Sequence, residues 1–184
     1  MGITFKKAVG HFMTITRHRN IVIAHSKKAG ILWQGLLHDL SKYSPSEFWV
    51  GARYYHGDKS PNEEERQLFG YSSAWLHHKG RNKHHYEYWI DYSTKDIAGV
   101  MAPAKMPVKY VAEMFMDRVA ACKIYNGKAY TPADPLKYYE FGKEKAPIHP
   151  ETKELLERLL EMLAKEGEEV TYSYIKNNLL RKEK

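Results

Sequence analysis

Cysteine is nearly absent from this sequence, which has Cys122 alone among 184 residues. A single cysteine cannot form an internal disulfide, so the small disulfide-stabilised domains of secreted proteins are excluded. A structural zinc site built on several thiolates is excluded for the same reason. Because apolar residues surround it, we interpret Cys122 as a small apolar helix residue and not as a catalytic thiol.

Long apolar runs are also missing. No stretch approaches the roughly 20 apolar residues that span a bilayer. The first residues include lysines but no apolar stretch of signal-peptide length. We therefore expect a cytoplasmic protein with no membrane partner. With 43% hydrophobic and 28% charged residues, the chain has the composition of one globular domain with a core of its own.

Positive charge is unevenly distributed. The formal net charge is +7, and residues 1–42 contain seven basic side chains and one acidic side chain. This excess surrounds the first histidines, where it would attract a phosphorylated or otherwise anionic small molecule. A solvated basic face is the alternative explanation. No nucleic-acid-binding motif accompanies the charge, and nothing in the sequence indicates an oligomeric state.

Sustained strand alternation is lacking, and helical periodicity fills most of the chain. The pattern predicts an all-α fold, a single helical domain over residues 1–184. Segment 81–105 follows no clear pattern. The predicted helices span 3–15, 20–30, 31–40, 44–57, 63–78, 107–126, 151–165 and 172–180, with a short tyrosine-rich helix after Pro135.

Histidine is abundant, with ten in the chain. His25 and the pair His38-Asp39 fall on consecutive predicted helices. Four more histidines surround a predicted helix end: His77, His78, His84 and His85. His11 and His18 precede His25 by fourteen and seven residues, which would align all three on one continuous helix, yet we interpret His11 and His18 as packing or surface residues.

Two carboxylates stand in apolar surroundings. Asp117 lies mid-helix in MFMDRVAA, where burial is costly unless a positive charge pairs with it. That charge could come from Arg118 or Lys123, or from a bound cation. Asp39 lies among leucines, and neighbouring helix residues diverge by about 100°, so His38 and Asp39 could contact one ion from adjacent directions. Imidazole with carboxylate suits Mn, Fe, Co, Ni or Zn.

Taken in order, these residues resemble the H…HD…H…H…D pattern of HD-domain metal-dependent phosphohydrolases. The segment HDLSK is similar to the HD-x-x-K form of that family. The resemblance covers roughly residues 20–125, and the C-terminal helices of 135–184 lie outside it. It implies a helical bundle of the HD type.

The resemblance also implies a ligand set. His25, His38, Asp39 and Asp117 would hold one divalent metal ion. Dinuclear members add two histidines, with the HD aspartate bridging, and the two histidines favoured here are His78 and His84. The other member of each doublet would be a surface residue.

The activity implied is hydrolysis of a phosphomonoester or phosphodiester, with a nucleotide as one candidate substrate. Asp39 and Lys42 would be catalytic, because the family lysine approaches the substrate phosphate. Arg81 and Arg118 would help to bind that phosphate. Asn82 would hold substrate or orient a histidine ligand, and Glu47 would have a similar supporting role.

Two alternatives stay open. Proteins similar to HD hydrolases hold two irons and activate oxygen, and the same histidines and aspartates would suit that reaction. The chain could instead be a basic binding module without catalysis, whose histidines are structural.

Overall fold

The computed structural model describes residues 2–93 and 100–181, which form a mostly helical protein. This confirms the all-α prediction. The α-helices are α1 Phe5–Ala29, α2 Leu32–Leu37, α3 Pro45–Arg53, α4 Pro61–Phe69, α5 Ser73–Lys79, α6 Val108–Asn126, α7 Asp134–Gly142, α8 Pro150–Glu166 and α9 Glu168–Tyr174. Short 3-10 turns follow several of them, and α9 continues into a π-helical turn over Ile175–Leu179.

Helix α1 is one continuous element, so the predicted break at Asn20 is wrong. The Thr4 hydroxyl caps its start by accepting a hydrogen bond from the Lys7 amide. Gly30 ends it in the left-handed conformation, with φ at 81°. Twenty-five residues give a helix about 37 Å long. A helix of this length presents histidines seven residues apart along one face.

The predicted helix over 63–78 is two helices. Gly70 adopts a φ of 79° and terminates α4, which the sequence pattern did not reveal. The Ser72 side chain then caps α5 by accepting a hydrogen bond from the Trp75 amide. This break lets α5 begin in a new direction and places its C-terminal histidines against α3.

A small antiparallel hairpin occupies part of the segment that the sequence left unassigned. Strands β1 Ile90–Ser93 and β2 Val100–Pro103 pair in register from Ile90 opposite Pro103 to Ser93 opposite Val100. The strands are only four residues long, too short to produce a clear alternation of polar and apolar residues.

Helix α6 lies at the centre of the hydrophobic core and packs against α1 and α8. Val111, Phe115 and Val119 are completely buried on it. From α8, Leu156, Leu159, Leu160 and Leu163 pack into the same core, as the amphipathic pattern predicts. Because α6 is buried between these helices, its polar residues that face α1 lie inside the protein. Within the described residues, none of the helices has the length and apolar character required to cross a bilayer.

Candidate metal centre

The His38-Asp39 pair lies in a turn and not on a helix, contrary to the prediction. Helix α2 ends at Leu37, and Asp39 adopts a left-handed backbone with φ at 56°. This conformation is unfavourable for most residues, although aspartate tolerates it better than others. Both side chains are buried, with 1% of His38 and 2% of Asp39 exposed. Such a conformation at a buried polar pair is typical of a functional site.

One group of ligand atoms is formed by His18, His38, Asp39 and Asp117, whose candidate atoms all lie within 4.8 Å of one another. His18 Nε2 lies 2.9 Å from Asp117 Oδ1, and His38 Nε2 lies 3.3 Å from Asp39 Oδ2. The two imidazole Nε2 atoms are 3.4 Å apart. Helix α1, the turn after α2 and helix α6 thus contribute to a single compact site.

His25 does not join this group, and His18 stands in the position that the sequence analysis gave to it. His25 lies seven residues further along α1, which is about 10 Å along the helix axis. Its Nε2 is 3.1 Å from Lys123 Nζ, and its ring packs on Tyr172. Since the three histidines share one face of α1, the sequence alone does not show which of them is level with Asp117.

A second group of ligand atoms consists of Asp39, His78, His84 and His85, again within 4.8 Å of one another. Asp39 Oδ1 lies 3.2 Å from His78 Nε2 and 3.4 Å from His84 Nε2. Asp39 therefore belongs to both groups, one carboxylate oxygen facing each. The structure places His78 and His84 in one group, and it adds His85, which the sequence analysis placed at the surface.

Two buried carboxylates orient these imidazole rings from behind. Glu113 Oε1 is 2.9 Å from His38 Nδ1 and 3.1 Å from His84 Nδ1. Glu47 Oε2 is 2.8 Å from His78 Nδ1. A proton held at Nδ1 leaves the Nε2 lone pair free for a metal ion, the usual arrangement of metal-binding histidines. The sequence analysis did not identify Glu113, although it lies four residues before Asp117 on the same apolar helix.

Asn82 supports the second group without contacting its ligand atoms. Its Nδ2 donates to the backbone carbonyl of His78 and to the Ser41 hydroxyl, both at 2.8 Å. The Ser41 hydroxyl lies in turn 3.1 Å from His78 Nδ1. Asn82 thus ties the end of α5 to the turn after Asp39.

The donor set fits a cation because several of its atoms have no other partner. Asp39 Oδ1, His78 Nε2, His84 Nε2 and His85 Nε2 are buried and, among the described residues, make no hydrogen bond. Buried polar atoms without partners cost about 1–3 kcal/mol each. Buried nitrogen and oxygen atoms that converge in this way without hydrogen bonds are the ligand arrangement that a metal ion requires. The buried cluster can therefore hold a metal ion.

Electrostatics keep the carboxylates ionised. Burial alone would raise the pKa of Asp39, but His38, Lys42 and His78 hold it well below its usual range. The pKa of Asp117 is likewise well below normal, since its hydrogen bonds to His18 and His38 outweigh burial. Burial lowers the pKa of His18, which favours its neutral form; burial has the same tendency at His38 and His78, but the Asp39 carboxylate outweighs it there and raises their pKa values.

A cavity of about 590 Å³ opens beside the cluster, within the size range of small-molecule sites. His18, His85 and Asp117 line it, and so do Lys42 and Arg118, which the sequence analysis assigned to phosphate binding. The Lys42 ammonium lies 2.6 Å from Asp39 Oδ2. Burial would lower the pKa of Lys42, but the carboxylates of Asp39 and Asp117 raise it, so the side chain stays protonated.

The structure does not place Arg81 with these residues. Its side chain is exposed and donates to the backbone carbonyl of His77 at 3.4 Å. His77 itself is half-buried and contacts Glu47 Oε1 at 2.6 Å, so it belongs to the supporting network and not to the ligand groups.

The sequence matches the model of a family of unknown function, DUF5662, over residues 7–162. Since the match covers most of the chain, the protein belongs to that family. Searches of curated proteins and of solved structures returned no match.

Proposed function

We propose that this DUF5662 protein is a metal-dependent phosphohydrolase of the HD type that cleaves a phosphomonoester or phosphodiester of a small molecule. The observation that carries the proposal is the position of Asp39 between the two ligand groups. Each of its carboxylate oxygens faces one group, and the Lys42 ammonium contacts Oδ2. A shared carboxylate between two sets of histidines is an arrangement suited to a pair of divalent ions.

Divalent ions held there would lower the pKa of a bound water and neutralise charge on phosphoryl oxygens. Candidate ions are Mn, Fe, Co, Ni and Zn, because the ligands are imidazoles and carboxylates. One or two ions fit the two ligand groups.

The residues around the cavity would bind and orient the substrate. Lys42 and Arg118 provide positive charge near Asp117, where a phosphate would enter. A fixed positive charge at this position stabilises the additional negative charge of the transition state more than that of the bound ester. Trp75, Tyr86 and Tyr125 line the same cavity and offer flat apolar surfaces for the rest of the substrate, which suits a nucleotide.

The test is hydrolysis of p-nitrophenyl phosphate, bis-p-nitrophenyl phosphate and nucleoside monophosphates by protein reloaded with each candidate metal. We expect turnover that is abolished by chelator. In Lys42→Met, kcat/KM should fall by about 100-fold or more while the metal content is unchanged. Lys165→Met is the matched control, because Lys165 is exposed on α8 and pairs with Glu161.

A folded, metal-loaded protein that hydrolyses none of these esters would contradict the proposal. Oxygen uptake by the iron-loaded protein would then favour the di-iron oxygenase. Failure to bind any metal would favour the basic binding module.

A further inference from the structure

The two ligand groups differ in chemical composition. The first contains two imidazoles and two carboxylates, from His18, His38, Asp39 and Asp117. The second contains three imidazoles and only the shared Asp39 carboxylate, because His85 accompanies His78 and His84. Imidazole ligands favour Zn²⁺ and its neighbours late in the first transition series, whereas carboxylate oxygens suit Mn²⁺ and Mg²⁺.

The local backbone explains how two adjacent histidines contribute to one group. His84 and His85 lie between the turn after α5 and the 3-10 turn Tyr86–Trp89. His85 has an extended backbone, with φ at −90° and ψ at 129°, and its amide donates to the Asn82 carbonyl at 3.1 Å. Their ring centroids are 4.1 Å apart, so both imidazoles lie on the same side of the segment despite being consecutive.

Aromatic packing is the competing explanation for His85. Its ring contacts the Trp75 ring edge-on, with centroids 4.7 Å apart. Packing alone, however, leaves a buried polar atom unsatisfied, because His85 Nε2 has no hydrogen-bond partner in the described part of the chain.

We propose that His85 is a metal ligand. We further propose that the metal position within the second ligand group (the second position) selects Zn²⁺, while the position within the first group (the first position) takes Mn²⁺, giving a mixed-metal pair. This inference rests on the metal centre of the proposed function and adds to it the assignment of a different metal ion to each position. The three imidazoles and one carboxylate at the second position match both the ligand types and the usual coordination number of Zn²⁺. The first position has two nitrogen and two oxygen ligands, and this mixture accepts Mn²⁺, the harder of the two ions.

The experiment is crystallography of protein freed of metal, then given one equivalent of Zn²⁺ and an excess of Mn²⁺, with anomalous data at both absorption edges. We expect the zinc signal beside His78, His84 and His85, and the manganese signal beside His18 and Asp117. Zinc distributed equally over both positions would overturn the inference and leave the proposed function standing. Absence of both metals from both positions would overturn the two together.

Variants test His85 itself by zinc titration against a competing chelator. In His85→Ala the zinc affinity should fall by about 100-fold or more, since loss of a mere supporting contact already costs about 10–100-fold. In His85→Asp the second position gains a carboxylate, so its preference for Zn²⁺ over Mn²⁺ should fall as well. The control is His56→Ala, because His56 is exposed and its Nε2 lies 3.8 Å from Glu64 Oε1, outside both ligand groups.

Unchanged zinc affinity in a folded His85→Ala protein would overturn the proposal and identify His85 as a packing residue. If neither variant folds, the anomalous maps of the wild-type protein decide, because they show directly whether zinc lies beside His85.

Discussion

Glu113 is expected to control the metal affinity of both positions at once. Its Oε1 atom is the acceptor for His38 Nδ1, which serves the first ligand group, and for His84 Nδ1, which serves the second. Glu113 is 5% exposed, so water cannot readily replace it. Glu47, by contrast, supports only His78 among the ligands.

Two substitutions separate the roles of charge and of hydrogen bonding. Glu113→Gln keeps an acceptor oxygen but removes the charge, and we expect about a 10-fold loss of metal affinity. Glu113→Ala removes the acceptor from two buried N–H groups. Each unsatisfied donor costs about 1–3 kcal/mol, so the free energy of unfolding should fall by about 2–6 kcal/mol. Metal affinity should fall by about 100-fold, or about 2.7 kcal/mol, at each position.

The assay is titration of metal-free protein against a chelating indicator, with unfolding by denaturant measured in parallel. Glu47→Gln should weaken the second position alone. Glu157→Gln is the control, because Glu157 also accepts a hydrogen bond, from the Tyr139 hydroxyl at 3.2 Å, but belongs to neither ligand group. Wild-type affinity at both positions in a folded Glu113→Ala protein would refute the reasoning.

Two further predictions concern stability. In Gly51→Ala, the new Cβ would overlap the His11 ring, so the free energy of unfolding measured in denaturant should fall by about 1–3 kcal/mol. Gly142→Ala should change it little, because a Cβ there meets open space. Burial, with nearby Lys123, lowers the pKa of His25 to about 4, below the ordinary 6.5 of the unfolded chain, so the free energy of unfolding should decrease as pH falls from 6.5 towards 4. At pH 5 the loss is about 2 kcal/mol, and it should be absent from His25→Gln. Equal pH slopes in the two proteins would contradict this prediction.

Helix content was predictable because periodicity reports on burial, but helix ends depend on packing. The pattern of ILWQGLLHDL continues smoothly through His38, yet α2 stops at Leu37. Its Gly35 fits closely against α1: a Cβ there would lie 2.6 Å from the Ser26 side chain. This contact fixes α2 on α1, and the turn that follows directs Asp39 inward. Sequence periodicity carries no information about such a contact.

The sequence predicts the residue types of the candidate site, histidine and aspartate, better than it predicts which individual residues form the site. Residues seven apart on a helix share a face, so His18 and His25 are equivalent in the sequence of α1. Their environments differ because α6 brings Asp117 level with His18 and Lys123 level with His25. Glu113 had a visible signal, since it precedes Asp117 by four residues and must share its face. His85 had none, because its orientation depends on the turn after α5.

Metal content tests most directly whether Asp39 links two groups of metal ligands, as proposed. Elemental analysis should compare protein purified without chelator with Asp39→Asn, since asparagine also tolerates the left-handed backbone at this position. We predict between one and two metal ions per wild-type chain and nearly none in a folded Asp39→Asn protein. A folded wild-type protein that binds no metal after incubation with Mn²⁺, Fe²⁺ and Zn²⁺ would contradict the claim.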